Sequence, residues 1–316
     1  MVEVYPVIDL ESGWARGERE PGGDEEKRWF DAPPGSPFEG RWLFKPHREK
    51  ELLLSKERKE RGERPEVLVR GEDWAEKIAT ELAHLITLPA AEAQLASVIR
   101  LRDGRRVRGT ISRDIRPEGW SLSAGASLLA ERDEEFDADS SRGHNLHAIR
   151  AALDGVRGPA GTSYADWSAF EVFAGYLLFD AWVANTDRHA YNWAVLQGPD
   201  GLFLGHSFDH GSALGSGAGE ASHNRVLQDV GIDQWCARGF ATRFPDGGRR
   251  TLVELADAAL TLAGERARHH WTRQIARVDQ RICQNVLDAI PDLSEVTRTF
   301  VAAVLTTNQR RLIDVQ

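Results

Sequence analysis

The chain has 316 residues, enough for one large domain or for two lobes around a cleft. Hydrophobic residues make up 41% and charged residues 28%, with no long low-complexity tract, so the composition is that of a packed globular protein rather than a disordered one. A formal net charge of -9 argues against sequence-independent nucleic-acid binding, which needs a basic face.

The N-terminus, MVEVYPVIDLESGW, is acidic and lacks a long apolar run. It does not read as a signal peptide, and no later stretch reaches transmembrane length. Residues 1 to about 70 are rich in Gly, Pro and charge. Within them, Lys27 to Ala32 and Gly40 to Pro46 are aromatic-rich runs around Pro33-Pro34-Gly35-Ser36-Pro37, which predicts a hairpin. Lys50 to Glu66 is so charged that a surface helix or a mobile excursion is expected.

The first strong helical pattern runs from Asp73 to Leu88, with Trp74, Ile78, Leu82 and Leu85 as its apolar stripe and Pro89 as its stop. Ala93 to Leu101 and Arg105 to Asp114 flank Asp103-Gly104, a hairpin signal, and the basic run Arg102 to Arg108 reads as its solvated turn. Glu131 to Asp139 is an acidic loop. Trp167 to Asn185 is apolar almost all round, which predicts a central buried helix. Two short strands, Trp193 to Gln197 and Leu202 to Ser207, enclose Gly198-Pro199-Asp200-Gly201.

After the glycine-rich segment Gly211 to Gly219, three helices are expected: Leu252 to Ala263, Ala267 to Ala289 and Leu293 to Ile313. Cys236 and Cys283 fall in helical patterns without zinc-ligand spacing. Two buried free thiols suit a reducing compartment, so a cytoplasmic protein without a membrane anchor is expected. The fold class is α+β, with a sheet-rich first part and a helical second part.

The segment that carries chemistry is Asn185-Thr186-Asp187-Arg188-His189-Ala190-Tyr191-Asn192, which follows the buried helix directly. The strand pair then returns a second acid in Phe208-Asp209-His210-Gly211. An Asp and an Asn five residues apart, with another Asp on the next loop, is the set that phosphoryl transfer needs. Asp187 would orient an attacking hydroxyl and accept its proton. Asn192 and Asp209 would hold magnesium through hard oxygen ligands. A turn-capping Asp187 and a surface Asp209 are the plainer alternative, and the complete series of helix, Asp, Asn, hairpin and Asp outweighs it.

This segment resembles the HipA-like branch of the protein-kinase-like superfamily, and more distantly the Asp-Arg-His-x-x-Asn loop of phosphoinositide kinases. The resemblance implies a two-lobed protein-kinase-like fold, with residues 1–112 as the N-lobe, 113–129 as the hinge region and 130–316 as the helical C-lobe. It implies ATP and Mg2+ as cofactors, Asp187 as the catalytic aspartate, and Asn192 and Asp209 as metal ligands. Lys45, at the end of Arg41-Trp42-Leu43-Phe44-Lys45-Pro46, matches the lysine that holds the α- and β-phosphates. Gly22 and Gly23 resemble the glycine-containing approach to the first strand in short members of the family, where backbone amides come near phosphate; a plain turn is the alternative.

Two glutamates compete as the partner of Lys45. Family spacing to Leu88-Pro89 points to Glu76, whereas helical periodicity puts Glu81 near the apolar stripe and Glu76 on the far side; Glu76 is preferred. Arg188 is open between neutralising phosphate and pairing with an acid. His189, His206 and His210 read as structural, since kinase magnesium prefers oxygen. Ser212 or Ser216 could be an autophosphorylation site, against a plain flexible loop. The glycines near residue 22 come earlier than in full-length HipA toxins, which carry an extra N-terminal subdomain, so the chain resembles the shorter CtkA-type members and an antitoxin contact of the HipB kind is not expected. The implied activity is ATP-dependent phosphorylation of a hydroxyl, with serine or threonine of a protein substrate first, a small molecule or lipid headgroup second and a nucleotide-binding pseudokinase third. No membrane and no direct nucleic-acid partner are expected.

Overall fold

A computed structural model describes residues 3–20, 27–51, 61–62, 67–246 and 248–314. Gly22 and Gly23, and most of the charged stretch from Lys50 to Glu66, lie outside the described residues.

The N-terminal part is built on a six-stranded sheet in the order β1-β7-β8-β4-β3-β2. In chain order the strands are β1 (Ile8–Asp9), β2 (Ala15–Arg19), β3 (Arg28–Asp31) and β4 (Arg41–Pro46). A separate pair, β5 (Glu49–Glu51) and β6 (Val67–Val69), precedes helix α1 (Glu72–Leu85). Then come β7 (Ala93–Ile99) and β8 (Arg106–Arg113). Only β1 runs parallel to its neighbour, β7; the other pairs in this sheet are antiparallel.

Alternation along β4 decides which residues meet the cleft. Trp42 and Phe44 enter an aromatic cluster with Leu10, Trp14 and Phe30 on the outer face of the sheet. Fully burying Phe30 and Phe44 contributes roughly 1.5–3 kcal/mol each. Leu43 and Lys45 therefore take the opposite face, which is directed at the C-terminal part. Lys45 pairs in register with Thr110, and Gly109 sits beside Pro46. A Cβ on Gly109 would come 2.1 Å from the Lys45 carbonyl oxygen, so β8 needs glycine there to approach β4.

Helix α1 packs on β7 and β8. It starts one residue before the expected Asp73 and ends three before Leu88. Thr87 adopts a left-handed φ of +56°, which turns the chain before Pro89. The single stripe expected for this helix is a correction: Ile78 and Leu82 are fully buried but Leu85 is 36% exposed. Ala75, Ala79, Ala83 and Glu76 are buried as well, so the helix is covered on more than one side. Small alanines let β7, β8 and the second half of the chain close around it.

The stretch read as the hinge region contains a turn followed by β9 (Ser121–Ala124), and then α2 (Gly125–Ala130) begins. Strand β9 pairs with β10 of the second sheet, not with the first. Then come α3 (Leu146–Ala152), α4 (Ala169–Trp182), β10 (Ala194–Gly198) and β11 (Gly201–Leu204). The acidic stretch from Glu131 to Asp139 is a series of turns, as expected.

Helix α4 is the axis of the C-terminal core. Ser168 and Glu171 form a capping box at its start, and every residue from Ala169 to Trp182 except Glu171 is buried. Gly175 lets Trp271 lie against it, for a Cβ there would stand 2.4 Å from the indole. Next come α5 (Glu220–Arg225), which continues into a π turn over Val226–Val230, and α6 (Ile232–Ala237), both packed on the helix over residues 295–314, and then α7 (Leu252–Ala263), which packs on α4.

The expected single helix from Ala267 to Ala289 is two: α8 (Glu265–Ala276) and α9 (Gln280–Asp288). Asp279 makes the break by capping α9, accepting from the Arg281 amide at 2.8 Å. The apolar pattern continues through the break and concealed it. Helix α10 (Glu295–Asp314) ends the described chain. The two parts are joined outside the cleft by Arg108–Asp292 at 2.8 Å and by the Tyr5 amide donating to Ala289. Among the described residues no helix is long and apolar enough to cross a membrane. Cys236 and Cys283 are buried free thiols, pushed by burial up to about 12 and about 11.

Candidate active site

The C-terminal end of α4 fixes the first half of the site. Helix carbonyls at such an end need donors. Asn308 of α10 donates to the Trp182 carbonyl at 3.2 Å, and the Leu214 amide donates to Val183 at 2.8 Å. Ala184 then takes a left-handed φ of +54° and turns the chain out of the helix.

One acid lies inside this apolar helix. Asp180 is 2% exposed, and a buried carboxylate requires partners. Asn185 Nδ2 donates to its Oδ1 at 2.8 Å. Arg188 closes a two-pronged pair on it, Nε to Oδ2 at 2.7 Å and Nη2 to Oδ1 at 2.8 Å. The same guanidinium donates to the Asn192 carbonyl at 2.8 Å and to Ser207 Oγ at 2.9 Å. Burial opposes the charge of Arg188, but the Asp180 carboxylate outweighs it and keeps the side chain firmly cationic. Of the two roles open for Arg188, the structure gives pairing with an acid. Asp180 was missed by sequence reasoning, and its signal was there: the single acid in the apolar run from Val172 to Trp182.

Asp187 and Asn192 are tied to each other through the backbone. Asn192 Nδ2 donates to the Asp187 carbonyl at 2.9 Å, and Asn185 Oδ1 accepts from the Asp187 amide at 3.2 Å. The Asp187 carboxylate meets a residue absent from the sequence reading. Arg243 reaches its Oδ1 with Nε at 2.8 Å and Nη2 at 2.6 Å. The Ser212 hydroxyl lies 3.5 Å from Oδ2. Arg243 is 56 residues away in sequence, in a stretch with no motif, and nothing in the sequence marked it.

Lys45 reaches across from the N-terminal sheet to Asp209, Nζ to Oδ1 at 3.0 Å. Burial works against the charge on Lys45, yet the carboxylates of Asp209 and Glu76 dominate and hold it protonated. Burial likewise works against ionised Asp209, and Lys45 and Lys27 overcome it, so the carboxyl sits well below its usual range. Asp209 has a left-handed φ of +62°, a strained backbone for a non-glycine residue at a place where two chain segments converge.

Glu76 is buried in this cluster, its Oε1 3.6 Å from His210 Nδ1. Glu81 instead pairs with Lys77 at 2.6 Å, and Lys77 also donates to Gln94. His210 is fully buried, with Nε2 2.8 Å from Ser207 Oγ and its ring edge-on to Phe179. His189 is partly buried and accepts from the Tyr191 amide at 3.2 Å. Burial pushes both His189 and His206 towards the neutral form.

The glycine-rich segment from Gly211 to Gly219 is a correction to the expected free loop. Ala213 and Leu214 are fully buried, and the Leu214 amide caps α4. The Gly71 amide donates to the Ser216 carbonyl, which ties the segment to the start of α1. Ser216 is itself fully buried and its hydroxyl donates to the Gly211 carbonyl at 2.5 Å, so it is not presented for modification. Ser212 is exposed.

A cavity of about 1070 Å³ lies where the first sheet meets the connecting turn, with Arg41, Glu92, Asp114, Trp120 and His206 in its wall. It does not include Lys45, Asp187, Asn192 or Asp209. Among the described residues no group of three or more His, Cys, Asp or Glu side chains is gathered to hold a metal. The oxygen donors at hand are Asp209 and Asn192, whose amide nitrogen is already used. A carboxylate and an amide oxygen suit a hard cation that keeps water and phosphate as its other ligands, as magnesium does.

No family model matches the sequence, and neither does any curated protein. Solved structures do. The proinflammatory kinase CtkA of Helicobacter pylori is 17% identical, with a TM-score of 0.68 over 98% of this chain and 97% of its own. HipA of Shewanella oneidensis, solved with HipB and operator DNA, is 14% identical, with a TM-score of 0.52 over 95% of this chain and 68% of its own. Fam20 of hydra, solved with sugar, is 12% identical, with a TM-score of 0.47 over 99% of this chain and 86% of its own. At such identities the likeness is one of fold: the chain has the two-lobed, kinase-like architecture of CtkA and HipA, with a sheet-rich first lobe and a helical second.

Proposed function

We propose that this protein is an ATP-dependent kinase that transfers the γ-phosphoryl group to a hydroxyl, with serine or threonine of a protein as the acceptor class. The observation that carries the reading is the ion pair of Lys45 with Asp209 across the two parts of the chain, beside Asp187 and Asn192 locked to each other. A kinase-like fold makes the same residues the expected ones.

In this reading Lys45 holds phosphate oxygens, and Glu76 keeps the lysine in place once Asp209 turns to the metal. Asn192 and Asp209 supply the protein's two oxygen ligands. Magnesium, when bound, neutralises charge on the phosphates during transfer. Asp187 orients the acceptor hydroxyl and takes its proton. Arg188 keeps these two segments at a fixed separation without touching substrate. Ser212, exposed and beside Asp187, is the autophosphorylation candidate within the proposal. The two buried thiols accord with a cytoplasmic setting.

The test is transfer of labelled phosphate from ATP to protein in a cell lysate, with the purified chain and its Asp187→Ala variant. Loss of a general base lowers kcat by roughly 10²–10⁴-fold, while calorimetric binding of ATP–magnesium persists. An Asp187→Ala protein as active as the wild type sinks the assignment.

A further inference from the structure

Arg243 has no place in the reading above, yet it makes the shortest contacts to the proposed base. It lies in the loop between α6 and α7, and that loop is braced. Its ends are closed by the Ala241 amide donating to Arg250 and the Leu252 amide donating to Gly239. Ala241 and Phe244 are buried in the core on either side of Arg243. Asp246 Oδ2 accepts from Asn145 Nδ2 at 2.9 Å and from the Gly143 amide at 3.2 Å.

The brace leads back to the site. Trp193, next to Asn192, donates its indole N–H to His144 Nε2 at 3.2 Å. An indole can only donate, so Nε2 of His144 is an acceptor and its proton is on Nδ1. Nδ1 then donates to the Arg243 carbonyl at 2.7 Å. Burial lowers the His144 pKa to about 4, so the ring stays neutral and this tautomer persists at physiological pH. The residue beside Asn192 thus sets the backbone of the residue that grips Asp187.

Both Arg243 contacts fall on one oxygen, Oδ1. The hydroxyl of Ser212 stands on the side of the other, Oδ2, at 3.5 Å. We infer that Arg243 is a positioning residue that occupies Oδ1 of Asp187, so that Oδ2 is the atom presented to the acceptor hydroxyl. This rests on the kinase reading and deepens it: the acceptor enters from the Ser212 side. Nothing in the contact requires Arg243 to touch nucleotide.

The experiment compares wild type, Arg243→Ala, Arg243→Lys and Asp187→Ala in magnesium–ATP turnover, with ADP–magnesium affinity measured separately by calorimetry. A misaimed base costs on the order of 10²-fold, so Arg243→Ala should lose about that much kcat. Its KM for ATP and its ADP affinity should stay within about twofold, because ground-state binding is untouched. Arg243→Lys, which offers one donor rather than a fork, should fall in between. Free guanidinium at sub-denaturing concentration should raise the Arg243→Ala rate and leave Asp187→Ala flat. Wild-type kcat in Arg243→Ala overturns the role, and so does a loss confined to nucleotide affinity. An inactive wild type overturns the kinase reading beneath it instead, so the two failures are told apart.

Discussion

The root and the mouth of the catalytic segment hold their acids in opposite ways. At the root, Asp180 and Arg188 are each 2% exposed and joined by a two-pronged pair, with Asn185, the Asn192 carbonyl and Ser207 as their further partners. At the mouth, Asp187 with Arg243 and Asp209 with Lys45 are ion pairs too, but all four side chains keep 17–38% of their surface open. A buried pair is rigid because separating it leaves a charge stranded in the core. A half-open pair exchanges partners cheaply, since water takes over what the partner leaves. The root therefore sets geometry; at the mouth Lys45 and Asp209 can trade their ion pair for phosphate and metal, while Arg243 keeps Oδ1 of Asp187 and leaves Oδ2 to the acceptor.

The comparison breaks most readily at the root. Arg188→Ala strands Asp180 and should cost about 3–5 kcal/mol of stability. Urea denaturation reads this directly, and a variant as stable as the wild type would show that the pair carries no structural weight.

The brace behind the mouth comes next, and pH probes it. His144 titrates near 4 when folded against an ordinary 6.5, so the unfolded chain takes up its proton first. The stability His144 allows is complete above pH 6.5 and is lost as pH falls towards 4, a difference on the order of 3 kcal/mol. Denaturation of wild type and His144→Gln across that window should give a steeper acid slope for the wild type. Equal slopes would mean that the ring is protonated without penalty.

The smallest change in stability is expected at the mouth itself. Lys45→Met should shift unfolding by about 1 kcal/mol or less, yet abolish phosphate transfer. A large stability loss in that variant would make Lys45–Asp209 a second root rather than an exchangeable pair.

Much of this contrast was legible in the sequence where it is local. Asp187, Asn192 and Asp209 stand on one helix exit and one hairpin, and short-range patterns described both. Lys45 came from the family resemblance, carried by the run from Arg41 to Pro46. What escaped was decided at long range. Arg243 reaches Asp187 only because a distant loop is packed beside the site. The placement of Glu76 depended on the Asp209–Gly211 loop lying against α1, which the periodicity of an isolated helix cannot contain. The segment from Gly211 to Gly219 looked free because glycine is permissive; its order comes from the unmet carbonyls of α4, a need invisible in the segment's own residues. Asp180 is the instructive miss, since an acid in a fully buried helix has to be answered by something nearby.

Arg188 also bears on how this site can change its length. One planar group touches Asp180, the Asn192 carbonyl, Ser207 Oγ and the Phe208 carbonyl, so it spans both ends of the hairpin that separates Asn192 from Asp209. The spacing of the metal-side residues is thereby measured at the base of the hairpin and not along it. The tip at Pro199 and Asp200 is exposed and far along the two strands from that clasp. Insertions at the tip leave the spacing of Asn192 and Asp209 intact, which makes it a natural place for the chain to acquire new recognition surface.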